Sequence, residues 1–278
     1  MQAGPLDVWP AAVPVAVAAT MSHDTQKSSV RKAIALLTAF GDTTGSATLT
    51  ELAAIAQVPK STAHRLLGVL HDTGLVDRDG MDWYLRTPMI RLGSAALRGS
   101  TGVLREVALP YLTELYELTH ENVHLGVLDR TEVVYLDKLY GHHSMCAPSR
   151  VGNRLRAHTS ALGKAILSRS GRGTINQVID AGLKPLTARS IVQPGVFVRQ
   201  LELARREGVA FDREECREGL VCVGAPIVGL GGRAVAGISV AGSARTLKID
   251  VLAGTIREAA AQISRKAGPD IDLIATGA

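Results

Sequence analysis

The 278-residue sequence predicts an α+β protein in two domains, a small helical one closed by a β-hairpin and a larger one built on an antiparallel sheet. Three observations carry this. Between Thr48 and Arg86, two short apolar-faced helices, a tight turn at Pro59 and a hairpin follow one another closely. In the second half, apolar runs of strand length pair across short turns, with helical periodicity between them. The length itself suggests two domains at about 150 residues each, and 46% hydrophobic residues can fill two cores.

Residues 1–25 are expected to be a disordered tail. The run AAVPVAVAA at 11–19 has no basic segment before it, and Asp7 stands where a signal peptide carries Lys or Arg. Met21 opens a polar lead-in, SHDTQKSS, with the character of a mature N-terminus. The first domain, 26–88, begins with a helix whose stripe Val30, Ile34, Leu37 and Phe40 should pack inward. Thr48 or Thr50 can cap the next helix, Thr48 with Glu51 fitting a capping box, and Leu52, Ile55 and Ala56 would face the core. Pro59 disfavours helical backbone in the residue before it and is tolerated in a first turn, so a third helix starts there. Along KSTAHRLLGVL the inward residues are Ala63, Leu66, Leu67 and Leu70, which leaves Ser61, Thr62, His64 and Arg65 outside. Gly74 ends that helix, and Leu75 to Arg78 and Trp83 to Arg86 form two strands around the hairpin signal Asp79-Gly80.

Together these elements spell a winged helix-turn-helix, whose third helix can enter the major groove of duplex DNA. There Arg bonds guanine bidentately, and hydroxyls reach bases or phosphates. The DNA-facing candidates are Arg31, Lys60, Ser61, Thr62, His64, Arg65, Arg78 and Arg86, with Arg65 the base-reading one and Lys60 and Arg86 on the backbone. Bulk charge decides little: 10 Lys or Arg face 7 acids between His23 and Arg105, and the net +5 is spread over both halves. Two recognition helices must stand about 34 Å apart to meet successive major-groove faces, so a homodimer is the minimum assembly.

A linker of residues 89–103 follows, a helix from Met89 to Leu97 and then a soft stretch at 98–102. The second domain, 104–274, opens with a helix over Leu104–Thr119 carrying Val107, Tyr111, Leu112, Leu115 and Leu118, with Pro110 as a break or fresh start. VHLGVL and EVVYLDKL, then LVCVGAPIV and AVAGISVAG, read as strands, while Ala161–Leu167, Arg199–Arg206 and Thr255–Lys266 read as helices. No apolar run approaches the ~20 residues that span a bilayer, so no membrane partner is expected. Cys146, Cys216 and Cys222 are odd in number and lack CxxC spacing, which fits reduced thiols in cytoplasm.

His120-Glu121-Asn122-Val123-His124 is a literal HExxH, and a metal-dependent hydrolase built on it is the competing reading. That chemistry needs both imidazoles on one helical face. Here the helix should end near Thr119 and a strand begin at Val123, so they would diverge. A structural metal held by His120, His124, His142 or Cys146 is a lesser variant. Ser160 near His158 lacks a nucleophile elbow, Gly163-Lys164 lacks the glycines of a phosphate loop, and Gly229 to Gly232 reads as a hairpin turn. No catalytic residue, cofactor or metal is expected.

The segments Ser28–Phe40, Leu49–Val76 and Arg154–Leu167 resemble the IclR-type bacterial transcriptional regulators. A C-terminal signature of that family, Gly-x3-Asp-x2-Glu-x6-Cys-aliphatic-Gly-x2-aliphatic, is matched by Gly208, Asp212, Glu215, Cys222, Val223, Gly224 and Ile227. The sequence departs from it at Val228-Gly229, where an aromatic or His followed by Asp or Asn is usual. The resemblance implies a GAF-like effector-binding fold, dimers or dimers of dimers, and an effector pocket at Met145, Ala161, Leu162, Asp212, Cys222, Ser239 and Ala241. It makes the expected function that of a ligand-responsive regulator, with repression the expected effect and a small organic effector. Ala241 stands where some relatives have a second serine, so a partly apolar carboxylate or aromatic compound is expected. Cys222 and Ser239 lie in apolar β runs, where a thiol and a hydroxyl can orient such a ligand.

Overall fold

A computed structural model describes residues 28–96, 100–142 and 149–268; the expected tail and Met145, His143 and Cys146 lie outside them. The chain divides into two compact units, Met1–Ala96 and Leu97–Ala278.

The first unit contains α1 (Ser29–Ala39), β1 (Ser46–Thr48), α2 (Leu49–Ile55), α3 (Lys60–Asp72), β2 (Val76–Asp79), β3 (Asp82–Leu85) and α4 (Pro88–Ala96). Thr48 caps α2: its hydroxyl accepts from Glu51 N and the Glu51 carboxylate accepts from Thr48 N at 2.8 Å, the full capping box. Gln57 in left-handed backbone (φ 53°) reverses the chain before Pro59, which is the N-cap of α3 rather than its first residue. Ala63, Leu66, Leu67 and Leu70 are buried as expected, and Gly74 (φ 74°) closes the helix through its N–H to the His71 carbonyl. The hairpin gains a third strand, with β1 pairing β3 from Ser46 opposite Tyr84 to Thr48 opposite Asp82.

Helix α1 is rotated relative to expectation. Leu36, Ala39 and Phe40 are buried and Ala33 and Leu37 pack beside them, whereas Val30 and Ile34 are 67% and 56% exposed. In α2 the fully buried residues are Leu52 and Ala53, with Ile55 and Ala56 only half covered.

The second unit contains α5 (Ser100–Thr119), β4 (Asn122–Asp129), β5 (Glu132–Leu139), β6 (Arg154–Arg156), α6 (Ala161–Ser168), α7 (Arg172–Asp180), α8 (Pro194–Glu207), β7 (Ala210–Arg213), β8 (Leu220–Val228), β9 (Ala234–Ser243) and α9 (Ile249–Ala267). The expected soft stretch is helical from Ser100 on, and α5 runs through Pro110 without a break. On α5, Leu104, Ala108, Tyr111, Leu112 and Leu115 are buried, but Leu118 is exposed. No described helix is long and apolar enough to cross a membrane.

Six strands form one antiparallel sheet in the order β6-β5-β4-β9-β8-β7. Alternation along each strand sorts side chains to two faces. Val123 and Leu125, Val221, Val223, Ala225 and Ile227, and Ile238 and Val240 pack in one cluster with α5 and α9. The opposite face carries His124, Cys222, Ser239 and Ala241, and α6 lies against it. Close approach requires glycine: a Cβ on Gly224 would stand 2.9 Å from the Ala161 carbonyl carbon, and one on Gly163 would stand 2.3 Å from Ala157 O.

Candidate functional site

The outer face of α3 is organised as the sequence implies. Lys60, Ser61, His64 and Arg65 are exposed and Thr62 is half-buried. The four buried apolar residues on the inner face hold the helix against α1 and α2. On the wing the basic residues are already engaged: the Arg78 guanidinium sits 5.7 Å from the Trp83 ring centre, and Arg86 Nε lies 3.7 Å from Asp77. Asp79 and Asp82, both exposed, stand beside Arg78 at the hairpin tip. The wing therefore offers a mixed surface, whereas the start of α3 presents Lys60 and Arg65 with no acid beside them in its sequence until Asp72. Arg31 is exposed on the first turn of α1.

In the second unit, six of the seven residues implied by resemblance line one cavity: Ala161, Leu162, Asp212, Cys222, Ser239 and Ala241; Met145 lies outside the described residues. His124, Tyr135, Ser149, Leu155, Ser160, Cys216 and Leu220 complete it. The cavity measures about 20 Å³, room for roughly one water. Its floor is the sheet face at β4, β5, β7, β8 and β9. Its wall is the start of α6, where Ser160 Oγ accepts from Gly163 N at 3.0 Å as the helix cap.

Each polar group has a physical setting. His124 is 2% exposed, with Nε2 2.7 Å from Ser149 Oγ and Nδ1 3.2 Å from Ser239 Oγ. Burial, helped by nearby Lys138, pushes its pKa down to about 3, so it stays neutral and serves as one donor and one acceptor. Lys138 directs its ammonium to the Ser149 carbonyl at 2.8 Å. Asp212 is fully buried, and Oδ1 accepts from Glu215 N at 2.6 Å and Cys216 N at 3.3 Å. Burial first and the Glu215 carboxylate second raise its pKa to about 7. Behind it, Lys164 Nζ meets Glu215 Oε1 at 2.5 Å, the two residues being 1% and 5% exposed. Burial raises the Glu215 carboxyl while Lys164 pulls it back. Burial also raises the Tyr135 hydroxyl and both thiols, so the cysteines are inert as nucleophiles.

This geometry accounts for the C-terminal signature. Gly208 (φ 74°) ends α8, Asp212 ties the turn that follows β7, Glu215 holds Lys164, and Cys222 is the strand partner of Asp212. Sequence reasoning passed over His124 as a pocket residue, and over Tyr135, Ser149 and the Lys164–Glu215 pair. Lysine amid the apolar run ALGKAIL was a signal for the last.

The HExxH does not assemble a metal centre. His120 closes α5 in left-handed backbone (φ 53°) and its ring packs near Tyr116 and His142, while His124 faces the cavity from β4. Among the described residues no group of three or more His, Cys, Asp or Glu is placed to hold a metal. His158, the neighbour of Ser160, is bonded to the Lys184 carbonyl instead.

Comparison with known proteins agrees with this layout. Residues 29–80 match the IclR helix-turn-helix domain and residues 100–265 match the bacterial transcriptional regulator IclR C-terminal domain. The HTH-type transcriptional regulator BhcR of Paracoccus denitrificans is 32% identical over 81% of this chain and 82% of its own. The transcriptional repressor IclR of Escherichia coli is 31% identical over 81% and 83%. Among solved structures, the Thermotoga maritima IclR superposes with a TM-score of 0.70 at 32% identity, covering 88% of this chain and 99% of that one. An IclR homolog from Microbacterium hydrocarbonoxydans, complexed with 4-hydroxybenzoate, superposes with a TM-score of 0.74 at 25% identity over 88% and 100%. With both halves matched in order and the HExxH dispersed, the chain belongs to the IclR family of bacterial transcriptional regulators, and is a ligand-responsive DNA-binding regulator rather than an enzyme.

Proposed function

We propose that the chain is a cytoplasmic repressor that binds a symmetric operator as a homodimer or dimer of dimers, released or retained by a small organic acid in the cavity on the sheet. The working division is a DNA-binding domain at 26–88, a linker at 89–103 and an effector domain at 104–274. Arg65, His64, Ser61 and Thr62 read bases, and Lys60, Arg31, Arg78 and Arg86 hold the backbone, with Arg86 weakened by Asp77. Val30 and Ile34 on α1, and Ile90 and Leu92 on α4, are apolar side chains exposed among the described residues, in keeping with assembly through the first unit.

The observation that carries the effector reading is the cavity. It combines apolar walls (Leu155, Leu162, Leu220) with a few convergent polar groups (Ser239, His124, Asp212) at a place where α6 begins. A helix leaves its first N–H groups without intrahelical acceptors, which favours an anion beside Ala161 and Leu162. A related protein binds 4-hydroxybenzoate, and an aromatic or short aliphatic monocarboxylate suits this lining. At about 20 Å³ the cavity cannot take such a molecule as it stands, since ligand pockets run to roughly 300 Å³ and more. Binding must displace part of this lining, and that shift is the lever by which ligand and operator become coupled. Selection of operators from a random duplex library by the full chain, followed by anisotropy titrations with a panel of monocarboxylates, tests the reading. A selected palindromic site with effector-dependent affinity supports it, and sequence-independent binding untouched by every acid refutes it.

A further inference from the structure

The cavity holds more acid than base. Asp212 is the one carboxyl in its lining, and behind it the buried Glu215 carboxyl and Lys164 ammonium are paired with each other at 2.5 Å. Asp212 Oδ1 has its two backbone donors, but Oδ2 has no N–H or O–H donor although the residue is 0% exposed, and the neighbouring Cys222 thiol is only a weak one. A carboxylate oxygen so placed gives up hydration without replacement. Carrying a proton, the same atom becomes a donor for whatever enters. Lys164 on α6 offsets its charge only in part, being paired to Glu215, and the other groups facing it are uncharged. Cys222 on β8 and Cys216 in the turn are thiols held protonated by burial, as is the Tyr135 hydroxyl on β5. His124 on β4 is held neutral, and the Lys138 ammonium beside it points to Ser149 O. An anion entering here would add a second negative charge to one only partly matched.

Taking the cavity as the effector site, we infer that it admits a small monocarboxylate only together with one proton, shared between Asp212 Oδ2 and the ligand's carboxylate, so that ligand affinity falls as pH rises. The balance is simple: an anion and a proton leave solvent, Asp212 holds the proton as an acid, and its O–H donates to the ligand's carboxylate oxygen. Burial and Glu215 have already brought Asp212 to about 7, so the proton is at hand near neutrality.

Isothermal titration calorimetry of the full chain with benzoate, 4-hydroxybenzoate and butyrate, between pH 5.5 and 8.5 in two buffers of different ionisation heat, tests this. Kd should be flat below about pH 7 and rise about tenfold per pH unit above it, with proton uptake near zero at pH 6 and approaching one at pH 8. Asp212→Asn offers an amide donor without a proton and should bind with flat Kd and no uptake. If that variant does not fold, the two-buffer measurement on the wild type decides alone. Binding with pH-independent Kd and no uptake would overturn the proton coupling and leave the effector site standing. No binding of any of the three acids at any pH would overturn both.

Discussion

Removing the Lys164 ammonium should unbalance the whole effector-binding unit. At 2.5 Å and an effective dielectric of about 20, the pair attracts by roughly 6–7 kcal/mol, which the desolvation of two buried ions largely offsets. The intact pair therefore adds little net stability. Lys164→Met is different, because it leaves Glu215 buried beside Asp212 without its paired cation, and breaking a buried pair this way costs about 3–5 kcal/mol. For a unit of this size each kcal/mol lowers Tm by roughly 2–4 °C, so a fall of about 6–20 °C is expected. Glu215 can limit the loss by taking a proton, so the deficit should shrink as pH falls from 7 to 5. Both tryptophans, Trp9 and Trp83, precede the second unit, so scanning calorimetry of the full chain is a better reporter than fluorescence. Lys164→Met/Glu215→Leu, which removes both charges, should recover most of the loss. A single variant within about 1 kcal/mol of wild type, or a double variant that adds the two losses, would refute the argument that these charges are mutually dependent.

Other outcomes follow from the same geometry. Arg65→Ala should cost about 1–3 kcal/mol on the selected operator with a smaller effect on random duplex; an equal loss on both would make Arg65 a phosphate contact. Lys60→Ala should lower the salt slope of log K by about 1 with sequence preference intact, and an unchanged slope would take Lys60 out of the interface. His124 titrates near 6.5 when unfolded but near 3 when folded, so the unfolded chain binds the extra proton between those values and stability drops as pH falls through that window. Urea unfolding should show wild type losing stability below pH 6.5 more steeply than His124→Asn, by about 1.4 kcal/mol per pH unit; parallel curves would mean that His124 is not held neutral.

The legible parts of this fold were those where one periodicity ruled. Along α3 the inward set Ala63, Leu66, Leu67 and Leu70 is strict, and Asp79-Gly80 leaves little choice of turn, so helix and wing could both be placed from residues alone. On helix α1 the expected and observed stripes differ because Val30 and Ile34 are apolar yet exposed among the described residues, and periodicity cannot tell a core stripe from an exposed one. Helix α7 escaped notice with only Val178 buried, and the edge strands β6 and β7 are three and four residues long. Pro110 suggested a break, yet α5 passes through it. The cavity was the hardest to see from residues. Its members come from six strands, the start of one helix and two connecting segments, and which of them share a face depends on strand register, including the bulge at Leu125/Gly126 that resets β4 against β5.

The central claim is that a molecule in this cavity sets operator affinity. It is tested most directly by the operator Kd of wild type and Ser239→Leu, each measured with and without the monocarboxylate that shifts wild-type binding most. The larger apolar side chain would fill the cavity, and the substitution removes a hydroxyl that contacts His124. The variant should bind operator alone within about threefold of wild type, a difference below ~0.7 kcal/mol, and show no response to the acid. A variant that folds, binds operator and still responds to the acid as wild type does would place the effector elsewhere.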